Sequence, residues 1–276
     1  MIDVISSKKP KNLSHAMLAK KKTVCYNIRI SHKKGCIKMA EWIDAVFQNI
    51  DLSMFSLMHG LAVATGKSVG AEITSWLTYF MKFISFFAHD GLCMFALGII
   101  LMLFRRTRKL GACVFIAVCC GGIITNLTLK PLIARMRPYA NFDHLAETVH
   151  GWWVMVGEAR KGEGVFTSFP SGHTTSATAA MLGLFLASKK KNHLFPVLLF
   201  PLLMGASRIY LMVHYTSDVL AGLVAGALGG IAAYFITKLI FKKLEAHGEN
   251  RFCRLVLDFD LVKWIKRKIG KSKKTA

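Results

Sequence analysis

Long stretches of apolar residues, separated by short polar segments, occupy most of the chain after its first third. Five of them reach or approach the roughly 20 residues that a helix needs to cross a hydrocarbon core, and they lie at residues 91–104, 111–129, 171–188, 194–213 and 219–241. Hydrophobic residues make up 53% of the chain and charged residues only 19%, which is unusual for a soluble domain. The pattern therefore predicts an all-α fold, a polytopic bundle of transmembrane helices.

Basic clusters between the apolar stretches predict the orientation of the bundle. Arg105, Arg106, Arg108 and Lys109 follow the 91–104 stretch, and three lysines follow the 171–188 stretch. Lysine and arginine are enriched in cytoplasmic loops, so both turns are expected on the cytoplasmic side of a cell membrane. The long segment 131–170 between them then faces outward.

Successive transmembrane helices must alternate in direction, and this alternation predicts about six of them. If the basic N-terminus is cytoplasmic, one further crossing is required between residues 45 and 88. The aromatic stretch 71–88, with Lys82 inside it, is either an interfacial helix or part of that crossing.

Charge at the two ends predicts three regions. The net charge is +22, with ten Lys and Arg against Asp3 alone in residues 1–40 and eleven against four acids in residues 242–276. We expect a disordered basic extension at 1–38, a membrane-embedded domain at 39–241 and a basic cytoplasmic tail at 242–276. The basic ends favour anionic lipid as a partner; no nucleic-acid-binding module accompanies them, and no protein partner is implied. Because the helical spacing of apolar residues begins near Met39, Met39 is an alternative to Met1 as the start of translation.

Three polar clusters are expected to meet at the outer membrane boundary. They are KPLIARMRP (130–138), PSGH (170–173) and SRIYLMVHYTSD (207–218). Each alone is compatible with a charged anchor at the membrane boundary. Charges at that depth are costly unless they are used, and three clusters on one face favour an active site over anchors.

The residue types in these clusters indicate phosphate chemistry. Lys130, Arg137 and Arg208 supply cations, and arginine can bind phosphate oxygens in a bidentate manner. Ser171 and the Gly172 amide add neutral donors at a helix start, where unpaired N–H groups and the helix dipole favour anions. Arg135 lies between these positions and is either structural or a contact at the substrate rim.

Two histidines and one aspartate complete the candidate site. His214 and Asp218 are four residues apart, so on a helix they share a face and the carboxylate can hold the imidazole tautomer. This arrangement predicts His214 as the nucleophile and Asp218 as its orienting group. His173 is then the general acid for the departing oxygen.

The motifs Lys-x6-Arg-Pro, Pro-Ser-Gly-His and Ser-Arg-x5-His-x3-Asp, in this order, resemble those of the type 2 phosphatidic acid phosphatase superfamily of membrane lipid phosphatases. The resemblance covers about residues 45–241. It implies a hydrolase that needs no metal and no cofactor, with His214 attacking phosphorus, Asp218 orienting it and His173 protonating the leaving group. Lys130, Arg137, Ser171, Gly172 and Arg208 would bind the phosphate.

The expected substrate is a membrane lipid phosphate, with undecaprenyl diphosphate favoured because an outward-facing site suits it. Phosphatidic acid and phosphatidylglycerol phosphate are alternatives. A lipid phosphotransferase and a non-catalytic lipid-phosphate binder or transporter also remain open. The outer segment contains His144, His150, Asp143 and Glu158, but their irregular spacing does not indicate a metal site.

Overall fold

A computed structural model of the chain describes residues 33–69, 72–88, 91–140 and 167–272, and these are almost entirely helical. In chain order the elements are α1 (Lys33–Thr65), β1 (Gly66–Val69), β2 (Glu72–Ser75), α2 (Trp76–Phe86), α3 (Leu92–Met102), α4 (Arg108–Gly122), α5 (Lys130–Ile133), α6 (Gly172–Ala187), α7 (Lys191–Leu194), α8 (Leu199–Tyr210), α9 (Thr216–Ala246), α10 (Arg251–Asp258) and α11 (Leu261–Ser272). A π-helical segment, Ile123–Leu129, joins α4 to α5 without a break. The strands form one antiparallel pair, with Gly66 opposite Ser75. The predicted all-helical architecture is confirmed, with this short pair as its exception.

In the described part of the chain, three helical runs are long and apolar enough to cross a membrane. They are Arg108–Ala140, Lys191–Tyr210 and Thr216–Ala246, and α3 is a shorter apolar helix. These runs contain most or all of three predicted stretches, at 111–129, 194–213 and 219–241. The predicted total of about six transmembrane helices stays a prediction, as does the choice between the two interpretations of residues 71–88.

Helix α9 lies at the centre of the bundle and packs against α4 and α6. Small residues make this packing close. A Cβ atom placed on Gly226 would lie 2.5 Å from Thr178 Cβ on α6, and one placed on Gly229 would lie 2.9 Å from Gly121 N on α4. Glycine therefore allows the backbones to approach to a distance that any side chain would prevent, as at many helix contacts in membranes.

The long N-terminal helix α1 packs across the end of the bundle at which α9 begins. Phe55 and Met58 of α1 belong to a buried apolar cluster that also contains Tyr210 and Tyr215. The rings of Phe55 and Tyr215 lie 5.8 Å apart between centroids. This contact holds α1 against the polypeptide that leads into α9.

The opposite end of α9 carries the C-terminal helices. With 31 residues, α9 is about 46 Å long and extends to Ala246, five residues beyond the boundary expected from the sequence. Arg108 at the start of α4 donates to Leu257 O at 2.6 Å, and Leu261 N donates to Leu103 O at 3.0 Å. Helices α10 and α11 therefore dock on the turn between α3 and α4, far from the beginning of α9.

Candidate active site

The turn between α8 and α9 brings His214 to Asp218. Four residues after the end of α8, His214 lies in this turn, and Asp218 is the third residue of α9. The expectation that both residues lie on one helix is therefore wrong. The turn, in which Met212 adopts a positive φ of 55°, nevertheless places His214 Nδ1 3.4 Å from Asp218 Oδ2. Both side chains are buried.

Burial sets the protonation state of His214. Removal from water lowers the pKa of the imidazole to about 3, with the neighbouring positive charges of Arg137 and Arg208 adding to the decrease and Asp218 opposing it. The imidazole is therefore neutral at pH 7, and the nitrogen that does not face Asp218 keeps its lone pair. This is the state that a nucleophilic histidine requires.

Asp218 is held by donors on every side. Its Oδ2 accepts from the backbone N–H of Tyr215 at 2.9 Å and from the Ser168 hydroxyl, and its Oδ1 accepts from Arg135 Nη1 at 2.6 Å. These bonds leave the carboxylate little rotational freedom. Asp218 can therefore keep its Oδ2 directed at His214.

The start of α6 forms the second wall of the site. Ser171 is its N-cap, and its hydroxyl oxygen accepts from the Thr174 N–H at 3.4 Å and the Thr174 hydroxyl at 3.0 Å. Because both lone pairs accept, the Ser171 O–H remains a donor for an anion. Ser171 N donates to Asp218 O at 3.0 Å, which joins this wall to α9.

Lys130 approaches the same helix start from α5. A Cβ atom on Gly172 would lie 3.2 Å from Lys130 Nζ and 3.5 Å from Asn126 Oδ1, so the absence of a side chain at 172 leaves room for the ammonium group. His173 follows as the second residue of α6 and is partly exposed, like Lys130. A phosphate at the mouth of the site would thus meet a cation and a helix N-terminus together.

The two arginines assigned to phosphate binding lie close enough to His214 for their charges to affect it. Arg208 is in the last turn of α8, is buried, and donates from Nη1 to Ser85 Oγ of α2. Arg137 is partly exposed in the segment that follows α5. The structure therefore gathers the predicted site residues of all three motifs at one end of the bundle.

Sequence reasoning missed the residues that support the site. Arg135 is fully buried, which excludes the rim position and leaves the structural one. Its partners include Asp44 and Asp51 of α1, and Ser85 and Ser168 were not anticipated either. The spacing of Asp44 and Asp51 was an available signal, because two carboxylates seven residues apart lie on one face of a helix.

Within the described residues, no cluster of three or more His, Cys, Asp or Glu side chains could hold a metal ion. The four acidic and histidine residues considered in the outer segment, and the basic extension before residue 33, lie outside the described part of the chain.

Comparison with known proteins points to one family. Residues 106–242 match the PAP2 superfamily. The chain is 28% identical over 121 residues to a lipid A 4'-phosphatase of Bacteroides thetaiotaomicron, a match that covers 44% of this chain and 51% of the relative. It is 27% identical over 192 residues to the undecaprenyl-diphosphatase BcrC of Bacillus subtilis, covering 69% of this chain and 86% of that protein. The chain thus spans about half the length of the first relative and most of the second.

The chain is also similar to a solved structure. The transmembrane PAP2 type phosphatidylglycerolphosphate phosphatase from Bacillus subtilis is 22% identical, with 74% of this chain and 92% of that chain covered and a TM-score of 0.48.

Proposed function

Because the chain carries a PAP2 superfamily domain at residues 106–242, we propose that it is a membrane lipid phosphatase that acts without a metal ion, through a phosphohistidine intermediate. The observation that carries this proposal is the buried His214–Asp218 pair, 3.4 Å apart, beside two arginines whose charges act on the imidazole. A protein that only binds lipid phosphates needs the cations. It does not need a desolvated neutral histidine paired with a carboxylate.

The residues divide the reaction into two displacements. In the first, the free imidazole nitrogen of His214 bonds to phosphorus while the bond to the leaving oxygen breaks, and His173 gives that oxygen a proton. Asp218, whose Oδ2 lies 3.4 Å from His214 Nδ1, stabilises the positive charge that develops on the ring. In the second, water attacks phosphorus while its bond to the His214 nitrogen breaks, His173 takes the water's proton, and inorganic phosphate leaves.

The side chains of the site would neutralise the negative charge of the phosphate. Lys130, Arg137 and Arg208 would bind the phosphate oxygens, together with the Ser171 hydroxyl and the Gly172 N–H. Fixed cations in a site removed from bulk water stabilise the charge of the transition state more strongly than they would in water. These residues can thereby supply the neutralisation that a divalent cation supplies in other phosphatases.

For the substrate we propose undecaprenyl diphosphate. The match to the undecaprenyl-diphosphatase of Bacillus subtilis extends over 86% of that relative, compared with 51% and 74% for the lipid A 4'-phosphatases of Bacteroides thetaiotaomicron and Porphyromonas gingivalis. The second candidate is a lipid A phosphate. It is supported by the identity to lipid A phosphatases, which reaches 34% over 118 residues for the one from Rhizobium johnstonii.

The proposed function is tested by phosphate release from purified protein in detergent with excess EDTA. The panel contains undecaprenyl diphosphate, lipid A, phosphatidylglycerol phosphate and phosphatidic acid. We expect release from at least one of them, fastest from undecaprenyl diphosphate, and none from the His214→Ala variant. Binding without release by the wild-type protein would show a non-catalytic binder. Transfer of phosphate to a lipid acceptor in place of water would show a phosphotransferase.

We further propose that the site faces outward and that both termini are cytoplasmic. The basic turns at 105–109 and 189–191 support this orientation. A cysteine placed at Ala159, in a background without native cysteines, should react with a membrane-impermeant maleimide in intact cells. A cysteine at Asn192, which is exposed beyond α6, should react only after permeabilisation. The reverse pattern would place the site in the cytoplasm.

Anionic lipid is the proposed partner of the C-terminal tail. Helices α10 and α11 expose apolar side chains next to basic ones, as helices at membrane interfaces do; the apolar residues include Phe252, Leu255, Ile265 and Ile269, and the basic ones Arg251, Arg254, Lys263 and Arg267. In nanodiscs, amide hydrogen exchange across residues 251–269 should be slower with phosphatidylglycerol present than with phosphatidylcholine alone. Lys263→Glu combined with Arg267→Glu should remove the difference, and equal exchange for the unmodified protein would contradict the proposal.

A further inference from the structure

A buried arginine connects the N-terminal helix to the proposed catalytic aspartate. Arg135 is 0% exposed, and its guanidinium contacts three carboxylates. Nη2 lies 2.7 Å from Asp44 Oδ1 and 3.0 Å from Asp51 Oδ2, and Nη1 lies 2.6 Å from Asp218 Oδ1. The ring of Tyr215 covers the guanidinium, and Arg135 Cζ lies 3.9 Å from the ring centroid. Arg135 therefore has a single well-defined position.

Asp51 also holds the first turn of α9 directly. Its Oδ1 accepts from Ser217 N at 2.9 Å and its Oδ2 accepts from the Ser217 hydroxyl at 2.8 Å. Ser217 is the second residue of α9, so its N–H has no partner inside that helix. A carboxylate at this position satisfies the N–H and interacts favourably with the helix dipole. Asp218 is the next residue of the same turn.

The charges of Asp44 and Asp51 affect what Asp218 can do. Arg135 paired with Asp218 alone would neutralise the carboxylate that has to stabilise positive charge on His214. The negative charges of Asp44 and Asp51 offset part of the positive charge that Arg135 presents to Asp218. Asp218 can then be fixed by Arg135 and still act as a negative group toward His214.

We propose that Asp51 is a positioning residue for the phosphatase reaction. It acts through Ser217 and Arg135 to hold Asp218, and with Asp44 it offsets the charge of Arg135. This inference rests on the proposed function of His214 and Asp218. It assigns a role to α1, which lies outside the residues that match the family, so residues 106–242 alone do not complete the site.

The test compares Asp51→Asn with Glu41→Gln in the full-length protein. Glu41 is exposed on the same helix, so its variant controls for loss of one negative charge from α1. Misorientation of Asp218 should lower kcat of Asp51→Asn by about 10- to 100-fold, because small displacements of a catalytic group cost rates of this order. KM should stay within about two-fold, because the phosphate ligands are untouched. Glu41→Gln should match the wild type in both constants.

The effect is then measured in an Asp218→Asn background. If Asp51 acts through Asp218, Asp51→Asn lowers kcat there by less than about three-fold, since mutations of one coupled unit are not additive. An equal loss in both backgrounds, or kcat of Asp51→Asn equal to that of Glu41→Gln, would overturn the inference. Should Asp51→Asn not be recovered folded, Asp44→Asn, at the partly exposed end of the cluster, is judged by the same comparison.

These results are distinguishable from failure of the proposed function. Full activity of His214→Ala would disprove the phosphohistidine mechanism and with it this inference. An inactive His214→Ala variant beside an Asp51→Asn variant with wild-type kcat would remove only the role of Asp51.

Discussion

Gly172 is placed where any side chain would compete with the ammonium group of Lys130. The 3.2 Å separation between Lys130 Nζ and a Cβ at position 172 is shorter than ordinary contact, and lysine is flexible enough to move away. Gly172→Ala should therefore leave the fold intact and shift the ammonium group away from the phosphate. We expect kcat/KM to fall about 10-fold with little change in Tm, since a fixed cation is removed from the transition state.

Gly122→Ala is the matched control for this variant. Gly122 is helical, and a Cβ there would have no neighbour within 4 Å. It should retain wild-type kcat/KM when assayed with the same lipid phosphate. Equal activity of the two variants would show that Lys130 does not depend on the space at position 172.

The residues proposed to carry the chemistry were visible in the sequence because they come in three short motifs with unusual polarity for their surroundings. Their supporting contacts were not. Asp218 meets Arg135 across 83 positions, and Arg135 meets Asp51 across 84, so no local pattern connects them. The position of His214 in a turn was also missed, because a separation of four residues suits a helix as well as the turn that is present.

Among the helices, the contact between α6 and α9 depends on the smallest side chains. A Cβ on Gly226 would lie 2.5 Å from Thr178 Cβ and 2.6 Å from Thr175 O, and neither neighbour is the end of a flexible chain. Gly226→Ala should therefore separate the two helices and destabilise the protein by about 1–3 kcal/mol, the usual cost of overpacking. The Tm of the variant is measured by heating the protein in detergent and using size-exclusion chromatography to determine the fraction that remains folded at each temperature.

Gly60→Ala is the control variant, because no neighbouring helix in the described part of the chain lies close to this glycine. Nothing lies within 4 Å of a Cβ at this position of α1, and alanine favours helix by up to about 1 kcal/mol over glycine. Its Tm should equal or exceed that of the wild type. A Gly226→Ala variant as stable as Gly60→Ala would mean that α6 and α9 do not pack as closely as described.

Apolar runs predicted the long helices well, since length and hydrophobicity alone identify a segment able to cross a membrane. They did not predict how the helices meet, because packing at glycine depends on distant backbone positions. The proposed role of α1 was only partly visible. The spacing of its two aspartates places them on one face of a helix, but only the folded chain shows that both contact Arg135.

The molecule as a whole should work without a divalent cation. Lys130, Arg137 and Arg208 would supply the neutralisation that Mg²⁺ performs in other phosphoryl-transfer enzymes. Activity should be unchanged in excess EDTA, and vanadate should inhibit by resembling pentacoordinate phosphorus. Loss of turnover in EDTA that is restored by one particular divalent ion would contradict this account of charge neutralisation.

In the proposed reaction, phosphate passes through a covalent bond to His214. Purified protein is mixed with a ³²P-labelled lipid phosphate for a time shorter than one turnover, denatured in alkali, which preserves phosphohistidine, and mapped by mass spectrometry. We expect phosphate on His214, and none in the His214→Ala variant. We also expect the phosphohistidine to form faster in the wild-type protein than in Asp218→Asn. Phosphate release by the wild-type protein with no phosphorylated His214, or by His214→Ala at more than about a tenth of the wild-type rate, would contradict the proposed reaction.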